Sequence, residues 1–268
     1  MEKRELVDYA KESLGASTRI ACRALRLSRT VYRYQPDLTK DDPIIEILLD
    51  LAEKHLRYGF GKMFPIIRRR GYPWNHKRVY RIYCALNLNI RRRGKKRLPS
   101  RNPEPLSVPE SINQCWSADF MSDALWSGQR FRTFNLIDDY NREALTIDVD
   151  RSLPAGRVVR ALDRAAAWRG YPKKLRVDNG PELTSVRLAD WADDNNVELE
   201  FTKPGQPMQN GFVERFNRTY RTEVLDLYIF KKIKEVQEIT DNWVIEYNEE
   251  RPHESLGNLT PKEYLTEN

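Results

Sequence analysis

QCWSADFMSDALWSGQRFRTFNLIDDYNREALTIDVD (residues 114–150) reads as three short strands, QCWSADFM (114–121), RFRTFNLID (130–138) and EALTIDVD (143–150), parted by turns at LWSGQ and DYNR. β-Branched and aromatic residues between turn-forming clusters predict an antiparallel meander. Toward the C-terminus, PAGRVVRALDRAAAWRG (154–170) is a helix ended by Gly170, KKLRVD (173–178) a fourth strand, VRLADWADDNN (186–196) a second helix and VELEF (197–201) a fifth strand. The order β-β-β-α-β-α-β predicts an α/β fold, a mixed five-stranded sheet flanked by helices. A further helix starts near Gly211 and passes Val224, and another covers 233–247.

Toward the N-terminus the texture is helical and basic. Residues 2–14 have helical character, and Ser17 and Ser28 read as N-caps of two short helices in STRIACRALRLSRTVYRY (17–34). Ile20, Ala21, Ala24 and Leu25 are expected on one face and Leu27 in a turn. Arg29 and Arg33 then face a phosphate backbone or base edges, as in a helix-turn-helix; an ordinary basic three-helix unit is the alternative. IIEILLDLAEKH (44–55) is an amphipathic helix, and a second helix-turn-helix follows through Arg68–Arg70, the turn GYPW and a helix capped by Asn75. There Val79, Ile82, Tyr83 and Leu86 repeat at helical spacing and leave Lys77, Arg78 and Arg81 outside. RRRGKKR (91–97) adds Arg91, Arg92, Arg93, Lys95, Lys96 and Arg97, and the four prolines of RLPSRNPEPLSVPE (97–110) mark a linker.

Composition fits this division. The 268 residues carry a formal charge of +7, with 25 Lys+Arg against 12 Asp+Glu in residues 1–110 and 21 against 27 in the rest. A basic front on an acidic body points to a polyanion partner, nucleic acid ahead of an anionic membrane surface. No apolar run approaches the roughly 18 residues of a membrane span, and MEKRELVDYAKE is not a secretory signal, so the expected location is cytoplasmic with no membrane partner. Cys22, Cys84 and Cys115 fit neither a disulfide framework nor paired zinc knuckles and read as buried thiols.

Three acids of the body stand in unusual places. Asp119 breaks the apolar pattern of the first strand. Asp178 follows the fourth strand, at the carboxyl end where sites in α/β sheets assemble. Glu214 lies in the first turns of the helix after KPGQPMQNG. Carboxylates converging from two strands and a helix suit Mg2+, or Mn2+ in its place. Three carboxylates and one phosphodiester balance two divalent ions, which can activate an attacking oxygen and stabilise a leaving one without a protein nucleophile. Asp123, Asp138, Asp139 and Glu182 are nearby alternates, or residues that cap turns and lie on the surface.

WSAD (116–119), VDNGPE (177–182), QNGFVERFN (209–217) and YNEERPHESLGNLTP (247–261) together resemble the DDE integrase core of insertion-sequence transposases, and most nearly the second-frame product (OrfB) of the IS-three family. The 35 residues between Asp178 and Glu214 match that group, and HLRYGFGKM (55–63) extends the resemblance to essentially the whole chain. The resemblance implies an RNase-H-like fold in which Asp119, Asp178 and Glu214 hold two Mg2+ ions. It also implies cleavage of element ends and joining of the 3′-hydroxyl to target DNA, by a bacterial, nucleoid-associated enzyme. Arg221 is similar to the family's basic residue that contacts donor DNA, with a solvated arginine as the equal alternative. Asn179, Gly180, Gln209, Asn210 and Asn217 are expected at the rim of the site, or as turn and cap formers.

Many relatives carry Thr two residues after the first Asp, where this chain has Met121. The zinc site of retroviral integrases has no counterpart in His55, His76 and His253, so no other metal and no other cofactor site is expected. Arg251, Pro252 and His253 are a family hallmark, and His253 is expected to order a turn against the core.

The expected organisation is a basic helical region over 1–90, a linker over 91–112, the catalytic core over 113–230 and a helical extension over 231–268. The resemblance also implies double-stranded DNA, terminal repeat and target, as partner, together with the upstream-frame protein (OrfA) or a frameshift fusion, and a homo-oligomer when two ends are synapsed. A chain opening on Met1 without sustained heptads is expected to associate weakly by itself. A DNA-binding regulator without catalysis, or a hydrolytic nuclease on the same fold, are the alternatives.

Overall fold

The computed structural model describes residues 3–34, 38–90, 108–202 and 210–267. By its internal contacts the chain forms two compact units, Met1–Glu46 and Ile47–Asn268. The division falls inside the expected basic region over 1–90, and residues 47–90 are grouped with the unit that contains the sheet.

In the first unit α1 (Lys3–Leu14), α2 (Thr18–Ala24) and α3 (Arg29–Arg33) surround Val7, Ala21 and Cys22. Ser17 accepts the Ile20 N–H and Ser28 the Thr30 N–H, as their sequence positions require of N-caps. Tyr32 donates to Asp8 and Arg4 to the Val31 carbonyl, tying α3 back to α1. The buried stripe of α2 differs from the expected one: Ile20 and Ala24 are exposed, and Cys22 takes the inner position. About two turns of helix specify its rotation poorly, and packing against Val7 decides it. Arg29 and Arg33 lie exposed on α3.

α4 (Asp42–Lys54) crosses the division between the units and leads to α5 (Phe60–Arg69) and α6 (His76–Ala85). Asn75 caps α6 through the Lys77 N–H. Val79, Ile82 and Tyr83 are buried, while Lys77 and Arg81 are exposed and Arg78 half-buried. Cys22 and Cys115 are buried and Cys84 half-buried, all free.

The meander forms as expected from β1 (Trp116–Ala124), β2 (Arg130–Asp138) and β3 (Ala144–Asp150), paired antiparallel. After α7 (Ala155–Arg169), β4 (Lys174–Val177) pairs parallel to β1; after α8 (Val186–Asp194), β5 (Glu198–Phe201) extends the parallel half. The order is β3-β2-β1-β4-β5. Trp116, Ala118, Phe134, Leu136, Leu175 and Val177 share a core with α7 and α8 on one face. Phe131, Ile137, Ile147 and Val149 meet α9 (Gly211–Tyr220) and α10 (Ile233–Glu249) on the other. α9 continues through a π turn, Arg221–Leu225, and α11 (Pro261–Glu267) ends the fold. The result is the RNase-H-like arrangement of a mixed sheet between helical layers. No described helix is long and apolar enough to cross a membrane.

Candidate active site

Side chains alternate across a strand, so with Ala118 and Phe120 turned to α7 and α8, Asp119 faces α9. Ser117 pairs with Arg176 in the parallel register, and Asp178, two residues further along, lies near enough for its charge to act on Asp119. Asp178 stands where β4 has ended, and its Oδ1 accepts the Gly180 N–H at 3.0 Å, an Asx turn. A Cβ on residue 180 would lie 3.0 Å from that oxygen, close enough that the Asp178 carboxylate would have to shift by a few tenths of an ångström. Glu214, exposed in the first turn of α9, completes the set.

Burial pushes the Asp119 carboxyl up to about 6, and the charges of Asp178 and Glu214 push it the same way. Hydrogen bonds from the Phe120 N–H and from Asn217 Nδ2, both at 2.8 Å, oppose the rise. Asn217 is itself held, because Asn135 Nδ2 donates to its Oδ1 at 2.6 Å. Asn135 lies opposite Asp119 on β2. Asn217 was legible as a rim residue, three positions after Glu214 on the same helix; Asn135 was missed, since nothing local in RFRTFNLID tells which strand position will face Asp119.

Among the described residues no group of three or more His, Cys, Asp or Glu side chains is gathered as a metal-holding cluster. The three carboxylates share a field without forming a closed coordination shell, as like charges do. Their donor chemistry fits hard divalent cations.

The alternates have structural partners. Asp123 pairs with Arg221 at 2.7 Å, and Glu182 pairs with Arg132, which holds its carboxyl below the ordinary range. Asp138 accepts the Asn113 and Tyr140 N–H groups, and Asp139 accepts from Ser117 and Arg176. Arg221 lies in the π turn, and its second Nη donates to the Ser122 carbonyl, so it ties α9 to the end of β1. Asn179 donates to the Thr202 carbonyl and Asn210 precedes α9 as its N-cap residue, buried. Gln209, Arg91, Arg92, Arg93, Lys95, Lys96 and Arg97 lie outside the described residues. The His253 backbone receives the Leu256 and Asn258 N–H groups and donates to Leu259, ordering the turn expected of it.

Family models described as "Integrase core domain" match residues 109–207 and 195–261, and one described as "HTH-like domain" matches 39–96. The chain is 38% identical over 255 residues to an IS407 insertion-element protein of 31.7 kDa from Burkholderia multivorans, covering 95% of this chain and 92% of the relative. It is 35% identical to an IS476 insertion-element protein of 39.2 kDa from Xanthomonas euvesicatoria, covering 98% and 76% respectively. The transposase for insertion sequence element IS629 from Shigella sonnei is 25% identical, over 96% of this chain and 94% of that one. Likeness at this level over nearly the whole length, with a helical HTH-like part ahead of an integrase sheet, means that the chain belongs to the insertion-sequence transposases of the IS-three second-frame (OrfB) type, polynucleotidyl transferases with a DDE integrase core.

Proposed function

We propose that the protein cleaves the ends of its insertion sequence and joins the exposed 3′-hydroxyl to target DNA, with Asp119, Asp178 and Glu214 as catalytic carboxylates and holders of two Mg2+ ions, replaceable by Mn2+. The observation that carries this reading is the hydrogen bond of 2.8 Å from Asn217, on the helix of Glu214, to Asp119 on β1, the strand beside β4 and the Asp178 that follows it. Asp119, Asp178 and Glu214 would hold such ions, whose chemistry would be to activate an attacking oxygen and to stabilise a leaving one. The chain's own residues orient the ligands: Asn217 fixes one Asp119 oxygen and the Gly180 N–H fixes one Asp178 oxygen. No side chain acts as nucleophile.

The partners are the terminal repeats and target, both double-stranded DNA. Arg29 and Arg33 on α3, Lys77, Arg78 and Arg81 on α6, the tract Arg91, Arg92, Arg93, Lys95, Lys96 and Arg97, and Arg221 are the proposed contacts. In function the chain divides into DNA-binding residues 1–90, linker 91–112, catalytic core 113–230 and extension 231–268. Two copies act on paired ends, assisted by the upstream-frame protein or as a fusion with it.

The test is a labelled terminal-repeat duplex with Mg2+ and target DNA. Wild type should give cleaved and joined products; Asp119→Asn, Asp178→Asn and Glu214→Gln should each give neither while binding duplex normally. Cleavage without joining would make the protein a hydrolytic nuclease, and binding without either product a regulator.

A further inference from the structure

Two motifs that the catalytic reading leaves unused, HLRYGFGKM (55–63) and YNEERPH (247–253), meet at one carboxylate. Glu223 sits in the π turn that ends the Glu214 helix, with its side chain 8% exposed. Arg251 grips it with Nε at 3.0 Å and Nη2 at 3.0 Å, a bidentate clamp, and Lys62 Nζ from α5 reaches it at 2.8 Å. Burial by itself would raise the Glu223 carboxyl, but Arg251 and Lys62 together hold it below its ordinary range. The surroundings extend the same contact. Lys62 also lies over the Tyr58 ring at 4.5 Å, His55 stacks on Tyr58, and His55 Nδ1 meets Glu246 of α10 at 2.9 Å.

A helix turns about 100° per residue, so whatever fixes the end of α9 in rotation also fixes where Glu214 points. Two anchors stand at that end. Arg221 ties it to β1, within the sheet that carries Asp119. Glu223 ties it to α5, which lies within residues matched to the HTH-like domain. In the π turn Val224 and Leu225 are both buried while Glu223 reaches Arg251.

We infer that Lys62 is a positioning residue that couples DNA held by the HTH-like domain to Glu214, through Glu223 and the shaft of α9. The inference rests on the proposed transposase reading. It makes occupancy of the DNA-binding helices part of assembling the active site, so a duplex that reaches only the core should be cleaved poorly. Arg251 keeps the Glu223 charge paired when Lys62 is replaced, which lets Lys62→Met fold.

The experiment compares a short duplex spanning the cleavage point with one extended to reach the helical region, for the full-length wild type, Lys62→Met and Lys62→Arg. Cleavage kcat and amide hydrogen exchange along 211–225 are both read. Wild type should gain about tenfold in kcat on the longer duplex, a typical coupling, together with slower exchange in that helix. Lys62→Met should bind the longer duplex with unchanged Kd and lose both gains, and Lys62→Arg should keep them. A wild-type helix whose exchange ignores the longer duplex, or a Lys62→Met protein that retains the gains, overturns the coupling. So does a Lys62→Met protein slowed equally on both duplexes, which marks a purely structural ion pair. If wild type cleaves neither duplex, the transposase reading fails, while the exchange measurement still decides the coupling.

Discussion

At Asp119 the cost of building a charged site is concentrated in one side chain. Its carboxyl titrates about 6 in the folded chain against 3.8 ordinarily, so between those values the folded state holds the extra proton. Stability contributed by this group is therefore greatest near pH 4 and falls as pH rises through 6. Asp119→Asn should stabilise the metal-free protein at pH 7 by about 2 kcal/mol: about 3 from removing the buried charge, less about 1 for an amide nitrogen facing the Asn217 donor. Urea unfolding should show that advantage lost by pH 4, where the amide penalty outweighs what remains of the charge contribution. A variant no more stable than wild type at pH 7 would mean that the charge is not strained. Asn217→Ala removes the donor without touching a proposed ligand. Supports of this kind are worth about 10- to 100-fold, so cleavage should fall by that range with duplex Kd unchanged.

Elements carry the same logic over a few residues. The turn after β4 places Asp178 by an Asx hydrogen bond, and a Cβ at Gly180 would press on Asp178 Oδ1 and displace it by a few tenths of an ångström. Gly180→Ala should therefore reduce cleavage strongly while shifting unfolding by less than about 1 kcal/mol, as expected of a turn substitution away from the core. A variant with wild-type turnover would show that the Asp178 carboxylate need not sit where the turn holds it. The α9 helix has one face in the core through Val213, Phe216 and Tyr220 and brings Glu214 and Asn217 to the sheet.

Across the whole molecule the charge is divided, basic in front and acidic behind, and the helices of residues 47–90 belong to the unit that contains the sheet. Lys54 pairs with Glu250 at 2.7 Å and Arg69 with Glu263 at 3.5 Å, which joins α4 and α5 to the C-terminal helices. DNA affinity of the full chain should fall steeply with salt, with a log-log slope near −5 if about six cations displace counterions. Replacing all six cations of 91–97 by Gln should flatten that slope. An unchanged slope would remove the tract from the DNA interface.

The sequence by itself determined what local patterns encode. The strand meander and the β-β-β-α-β-α-β order are written in runs of alternating residues, the caps in Ser17, Ser28 and Asn75, and the candidate triad in Asp119, Asp178 and Glu214 at their positions along the elements. Only tertiary structure decided which side chains touch. The register that sets Asn135 opposite Asp119, the rotation of α2 that exposes Ile20, and the meeting of Lys62, Glu223 and Arg251 across α5, the π turn and the RPH segment each depend on packing between distant segments. Local periodicity fixes the face a residue occupies on its own element. It carries no information about the partner that the opposing element presents, because that is selected when the two surfaces pack and most of their buried polar groups find partners.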